Sequence, residues 1–230
     1  MNESHKKCLN AFFLNLYKRN KFVQAYDVLK KLEKNYGPNP EILTQSLRLA
    51  ITQKHYEEIE TYLKLFEKTH PETSEVPDET LKILCPSLII AAKYFLQQGS
   101  TLLGVELLKK AAHFGKSKTK FLREVISNLV EHKRIEEAEE VIKFFPPAEK
   151  ENLDFKVSDY LIADQLLEGG QVIEKGLEFI WNKIFDPMIY KIIIKRTIEA
   201  GQTPDAKEIA NEASIRFPND KEAFMKLFQK

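Results

Sequence analysis

Apolar residues recur three and four positions apart along almost the whole chain: Leu9, Phe12, Phe13 and Leu16, then Phe22, Tyr26, Leu29 and Leu32, then Leu43, Leu47 and Ala50. That spacing lays them along one face of an α-helix, whereas a half-buried strand would alternate every second residue. The pattern breaks at short intervals, among them Arg19-Asn20, Gly37-Pro38-Asn39-Pro40, Lys54-His55, Gln98-Gly99-Ser100, Pro146-Pro147, Gly169-Gly170, Asp186-Pro187, Gly201-Gln202 and Pro218-Asn219. These breaks predict about twelve helices of roughly 12 to 15 residues, and a short last one. At Asn39-Pro40, Asp186-Pro187 and Thr203-Pro204 a capping side chain stands ahead of a first-turn proline, whose missing N–H costs nothing there.

The helices read as pairs joined by short turns. Aligned on the residue opening each second helix, the pairs place Ala25, Ile59, Gly104, Ala138, Gly176 and Ala206 in one column, separated by 34, 45, 34, 38 and 30 residues. Sixteen residues before each anchor stand Leu9, Leu43, Leu88, Leu122, Tyr160 and Tyr190, and four after it stand Leu29, Leu63, Leu108, Ile142, Ile180 and Ala210. Both columns are apolar in every copy, and a lone hairpin could not bury such a stripe; stacked hairpins could.

The stretch Tyr190 to Pro218, with Gly201-Gln202 at its turn and then Ala206, Ala213 and Pro218, resembles a tetratricopeptide repeat. The second pair resembles it through Tyr56 after the turn and Pro71 at the close, and a looser resemblance extends over nearly the whole chain. Where the family places a small residue inside its first helix, this chain has Phe13, Leu47, Ala92, Ile126, Asp164 and Ile194, and the slot of Ala213 holds Leu32, Phe66, Phe145 or Lys183 in other copies. The resemblance implies an all-α, right-handed solenoid of about six tetratricopeptide-like pairs over residues 1–218, closed by a capping helix over residues 219–230. Phe224, Leu227 and Phe228 of that last helix are expected to pack near Ile209 and Ala213. The 45-residue step contains an acidic insertion at about 71–86, read as an exposed loop, with Pro86 starting the next helix.

Composition agrees with a folded helical chain: 230 residues, 43% hydrophobic, and only 8 Gly, too few for glycine-dense phosphate loops or tight hairpins. Lys and Arg total 35 against 34 for Asp and Glu, so any charge logic is local rather than global. Cys8 and Cys85 make neither a disulfide framework nor a metal-ligand spacing. The apolar run Leu88 to Ala92 is cut by Lys93, short of the roughly 20 residues of a membrane span. The N-terminal residues read as an amphipathic segment rather than an apolar leader. A cytoplasmic location is therefore expected, with the nucleus as the alternative.

Chemistry-bearing motifs are sparse. Gly169-Gly170-Gln171 matches the tripeptide of peptide-release factors, but it falls at a helix-to-helix turn, where glycine serves as a C-cap. Gly115-Lys116-Ser117 echoes the end of a phosphate loop, yet no strand precedes it and Lys110 stands where the earlier glycine belongs. The five histidines form no metal-ligand pair on a helix face. Neither a catalytic residue nor a metal or other cofactor is predicted, and the chain is read as a non-enzyme.

The tetratricopeptide resemblance implies that first helices line a concave groove. That register places the cations Lys7, Lys18, Arg48, Lys93, Lys120, Arg123, Lys191 and Lys195 in the groove, outnumbering the acids Glu41, Glu131, Glu168 and Glu199 there by eight to four. The chain lacks the Asn, Lys and Arg set with which some family members clamp a terminal carboxylate: those places hold Asn10 and Leu14, Gln45, Pro86 and Ile90. The function expected is that of a protein-interaction scaffold or adaptor taking a partner peptide or helix, with an acidic segment, in a groove carrying Lys18, Arg48, Lys93, Lys120, Arg123, Lys191 and Lys195. Reversing Lys93 and Arg123 to Glu is expected to slow association while leaving stability nearly unchanged. The alternatives are a helical-repeat RNA binder, with Tyr17 and Phe95 stacking bases, and a helical small-ligand sensor or enzyme.

Overall fold

The three-and-four spacing is realised as helix after helix in a computed structural model of the chain, which describes residues 3–37, 39–69, 78–115 and 118–229. No strand occurs among the described residues. Where the sequence reads as one array over 1–218, internal contacts gather into two compact units, Met1–Gly115 and Lys116–Lys230.

The first unit runs α1 (Glu3–Lys18), α2 (Phe22–Tyr36), α3 (Pro40–Thr52), α4 (Tyr56–Thr69), α5 (Asp78–Gln97) and α6 (Thr101–Phe114). Each odd helix packs on the even helix that follows it, α2 also packs on α3, and α3 on α5. Phe13 and Leu16 of α1 meet Ala25, Val28, Leu29 and Leu32 of α2 and Ile42 and Leu49 of α3 in one core cluster. In the second unit come α7 (Thr119–Glu131), α8 (Ile135–Ile142), α9 (Leu153–Leu166), α10 (Gly169–Trp181), α11 (Pro187–Glu199), α12 (Thr203–Arg216) and α13 (Lys221–Lys226). There α7 packs on α8 and α9, α9 on α10 and α11, and α11 on α10 and α12.

One turn recurs between paired helices. Asn20, Lys54, Gly99, Lys133 and Gly201 lie five residues before their anchors, and all take positive φ, between 57° and 79°. The N–H of the next residue then reaches back to the helix: Lys21 to the Leu16 carbonyl (2.9 Å), His55 to Ala50 (2.8 Å), Ser100 to Phe95 (2.9 Å), Arg134 to Leu129 (2.8 Å) and Gln202 to Thr197 (3.0 Å). These left-handed caps close the exposed carbonyls of the helix end. At Lys54 and Lys133 an L side chain adopts this conformation at a cost of about 1 kcal/mol.

The anchors themselves are buried: Ala25, Ala138 and Ala206 are inaccessible, and Ile59 nearly so. A Cβ built on Gly104 would lie 2.5 Å from Leu96 Cγ, so α5 and α6 approach closely there. Phe13, Leu47, Ile126 and Ile194, large residues inside first helices, are all fully buried. They enlarge the core rather than disrupt it.

Four sequence expectations change. The acidic insertion was placed at 71–86; residues 70–77 lie outside the described residues, but 78–86 are the first half of α5, which runs through Pro86. The reason is burial: Leu81, Leu84 and Cys85 continue the stripe of Leu88 and Ile89, which offsets the backbone hydrogen bond that proline cannot donate. Because α5 starts early, Thr80–Gln97 is long and apolar enough to cross a membrane, and half of that stretch is buried inside the structure. Thr203 is the first residue of α12 rather than its cap, whereas Asn39 accepts from the Ile42 N–H (3.2 Å) and Asp186 from the Met188 N–H (2.8 Å). Gly169 and Gly170 open α10 instead of closing α9; Leu167 and Glu168 are extended, and the Gln171 side chain accepts the Glu168 N–H at 3.3 Å. That glutamine holds a helix N-terminus. Gly115 ends its helix, and Lys116 and Ser117 lie outside the described residues.

At the end of the second unit, Phe224 of α13 is fully buried with Tyr190, Ile194, Ala206, Ala210 and Ala213, and Ile209, Leu227 and Phe228 pack around them.

Candidate functional site

The seven cations nominated from sequence divide between the units: Lys18, Arg48 and Lys93 in the first, Lys120, Arg123, Lys191 and Lys195 in the second. Lys18 and Lys120 are exposed, Lys93 is half-buried, and Lys195 lies 3.9 Å from Glu199 one turn along α11.

Arg123 and Lys191 have structural partners. The Arg123 guanidinium donates to Asp186 Oδ2 at 2.8 Å and to Asp154 Oδ1 at 3.3 Å, while Thr119 donates to the other Asp154 oxygen at 2.8 Å. Asp154 lies in the first turn of α9 and Asp186 caps α11, so one arginine on α7 ties the starts of two further helices. Lys191 of α11 repeats the device with Asp220, just ahead of α13, at 2.8 Å. Asn10 stands in the same register, fifteen residues before its anchor, and donates to Glu41 in the first turn of α3. Carboxylates at helix N-termini are favoured by the dipole and by the unpaired N–H groups there; each recruits a donor from a neighbouring helix. The Asp186 carboxylate is nearly inaccessible (8% exposed), so its pairing with Arg123 is a structural commitment.

This overturns one expectation. Arg123→Glu would put a third carboxylate against Asp154 and Asp186, and it should lower stability by about 2 kcal/mol or more instead of leaving it unchanged. A thermal or urea melt of the variant beside wild type checks this; an unchanged midpoint would show that the cluster does not hold the three helices.

A further ion pair lay hidden in the sequence. Asp164, which occupies a small-residue slot, is buried on α9 and receives Arg196 of α11: Nε to Oδ1 at 2.6 Å and a second nitrogen to the Asp164 carbonyl at 2.5 Å. The hydrogen bond to Asp164 is the chief reason that the Arg196 guanidinium is held above its ordinary range, with burial opposing it. The signal in the sequence was the carboxylate itself, placed where every other copy is apolar.

Arg48 in the first unit stands beside a cleft. A cleft of about 280 Å³ opens between α1, α3 and α5, lined by Tyr17, Arg48, Thr52, Lys82, Pro86 and Ile90 among others. Arg48 lies over the Tyr17 ring, 4.4 Å from its centroid. Thr52 donates its hydroxyl proton to the Arg48 carbonyl (2.9 Å), so the 2.6 Å contact between Tyr17 and Thr52 is donated by Tyr17. The tyrosine is thereby fixed as a platform under the guanidinium. Ile90 is 51% exposed beside it. Pro86 and Ile90 give the cleft an apolar wall. Thr52 and Lys82 were not foreseen; they enter through the packing of α3 on α5.

Burial pushes the Cys85 thiol up to about 12, and Cys8 is exposed. No cluster of three or more His, Cys, Asp or Glu side chains able to hold a metal occurs among the described residues. His5 pairs with the Tyr36 hydroxyl (2.7 Å) and His132 with the Asn128 carbonyl (2.9 Å), while His70 lies outside the described residues. Compared with known proteins, the chain matches no protein-family model, and no curated protein is significantly similar to it.

Proposed function

We propose that the chain is a non-catalytic interaction scaffold or adaptor of the cytoplasm, an α-solenoid of tetratricopeptide-like pairs that holds a partner peptide or helix on its first-helix side. Support for the solenoid comes from the turn shared by five pairs, from the buried anchor column, and from first helices packing on first helices, α3 on α5 and α7 on α9. The observation that carries the function is the cleft of α1, α3 and α5, which joins an arginine stacked on tyrosine to an exposed isoleucine. A partner segment pairing a carboxylate with an apolar side chain fits both.

Affinity capture with the tagged full chain, compared across wild type, Arg48→Glu and Ile90→Lys, tests this. Both variants should fold, since Ile90 is half exposed and Arg48 contributes a surface stack. Each should lose at least about tenfold of partner binding. Partners retained equally by both variants would overturn the cleft as the site. RNA capture at physiological salt, abolished by Arg48→Glu, would replace the protein partner with a nucleic acid.

A further inference from the structure

Away from that cleft, the first unit carries a second concavity, of about 290 Å³, between α2, α3 and α4. Its floor is Phe22, Leu29, Leu49 and Ala50; Leu29, Leu49 and Ala50 are nearly inaccessible. Val23 (77% exposed) and Tyr26 stand in its wall toward solvent. The Gln53 side chain also lines it, while the charged groups around it face one another. Lys30 Nζ donates to Glu33 Oε2 at 3.0 Å, and Ser46 Oγ donates to the other oxygen of that carboxylate at 3.2 Å. The Tyr62 hydroxyl donates to Glu58 at 3.3 Å, and His55 lies 4.0 Å from the same carboxylate.

From this arrangement we infer a binding pocket for a small neutral aromatic molecule of about two fused rings. Neutrality follows from the pairing: an anionic or cationic ligand would have to compete with a contact that Glu33 or Glu58 already makes, whereas a neutral one leaves those contacts in place. Size follows from volume, since an apolar cavity of about 150 Å³ admits benzene. Aromatic character follows from Lys30, whose ammonium lies 5.2 Å from the Tyr26 ring centroid and 5.9 Å from that of Tyr62. A flat ligand lodged beside these rings meets the same cation, which a saturated ligand of equal size does not exploit. The charge states also hold steady. Burial works against the Lys30 charge, but Glu33 and the two tyrosine hydroxyls outweigh it and keep the amine above its ordinary range. Burial pushes the Tyr62 hydroxyl up to about 12.

Indole titrated into the methyl-labelled full chain tests the pocket. The Val23, Leu29 and Leu49 methyl resonances should shift and saturate, with a Kd on the order of 1 mM or tighter. Ala50→Phe, which fills the floor, should weaken binding at least about tenfold; if that variant does not fold, Val23→Trp, built on an exposed position, blocks the same space. Benzyl alcohol should bind about two- to fivefold better than cyclohexylmethanol, and Lys30→Met should erase that preference. Absence of saturable shifts at those methyls, or equal binding of the saturated alcohol, would overturn the inference. So would a tryptophan-bearing peptide that binds far better than indole, because the pocket would then belong to a protein partner.

Discussion

Gly176→Ala should destabilise the protein by about 3 kcal/mol, although on helix propensity alone the change would stabilise α10 by about 1 kcal/mol. The two effects have opposite signs, so the experiment distinguishes packing from propensity. A Cβ at Gly176 would lie 2.3 Å from the Tyr160 hydroxyl and 2.5 Å from Ile193 Cγ1. Neither neighbour has room to retreat: Tyr160 and Ile193 are fully buried, and the Tyr160 hydroxyl donates to the Val172 carbonyl at 2.8 Å. The glycine is where α10 meets α9 and α11, and one methyl group would push them apart. Urea denaturation of the variant should show the lower midpoint, and Tyr160→Phe in the same background should recover part of the loss by removing the nearest atom. An alanine variant as stable as wild type would mean that the helices do not approach this closely.

Phe224→Ala should cost about 3 to 5 kcal/mol, a large share of the roughly 5 to 15 kcal/mol that holds a domain together. Phe224 is inaccessible to solvent on a helix of only six residues, and the Lys191 ammonium lies 5.7 Å from its ring. So short a helix has little stability of its own. Its place depends on this ring, on Leu227 and Phe228 beside it, and on the pairing of Lys191 with Asp220. Removing residues 219–230 should go further and bare Tyr190, Ile194 and Ala213, so the truncated chain is expected to melt earlier and to elute as dimers or aggregates. A truncated chain that remained monomeric with an unchanged Tm would show that the segment is a tail rather than a cover.

Much of the helical layout was legible because it is written locally. Helices and their ends depend on residues within about four positions of one another, so the spacing from Leu9 to Ala50 marked the first three helices. The left-handed turns fell at Arg19-Asn20, Lys54-His55 and Gly201-Gln202, where the pattern breaks. The anchor column could be aligned because two helices in close contact need a small or well-fitted residue at the crossing, once per pair. Local pattern also misleads: proline usually starts a helix, so Pro86 reads as a start, whereas the burial of Leu81 and Leu84 that carries α5 through it comes from other helices.

The candidate site was legible only as a list of charges. Sequence determined which residues stand on the first helices, and so placed Arg123 and Lys191 in one register and Arg48 one turn further along its helix. Only the tertiary structure decided their roles, because a charge is defined by what stands opposite it, and those partners lie about thirty or more residues away: Asp154 and Asp186 for Arg123, Asp220 for Lys191, Asp164 for Arg196. Arg48 found an aromatic ring instead of a carboxylate and remains available at the mouth of a cleft. Periodicity along a chain records which face of each helix is buried; the offset between neighbouring helices, set by how their side chains interlock, determines which charges are neutralised inside the fold and which stay at its surface.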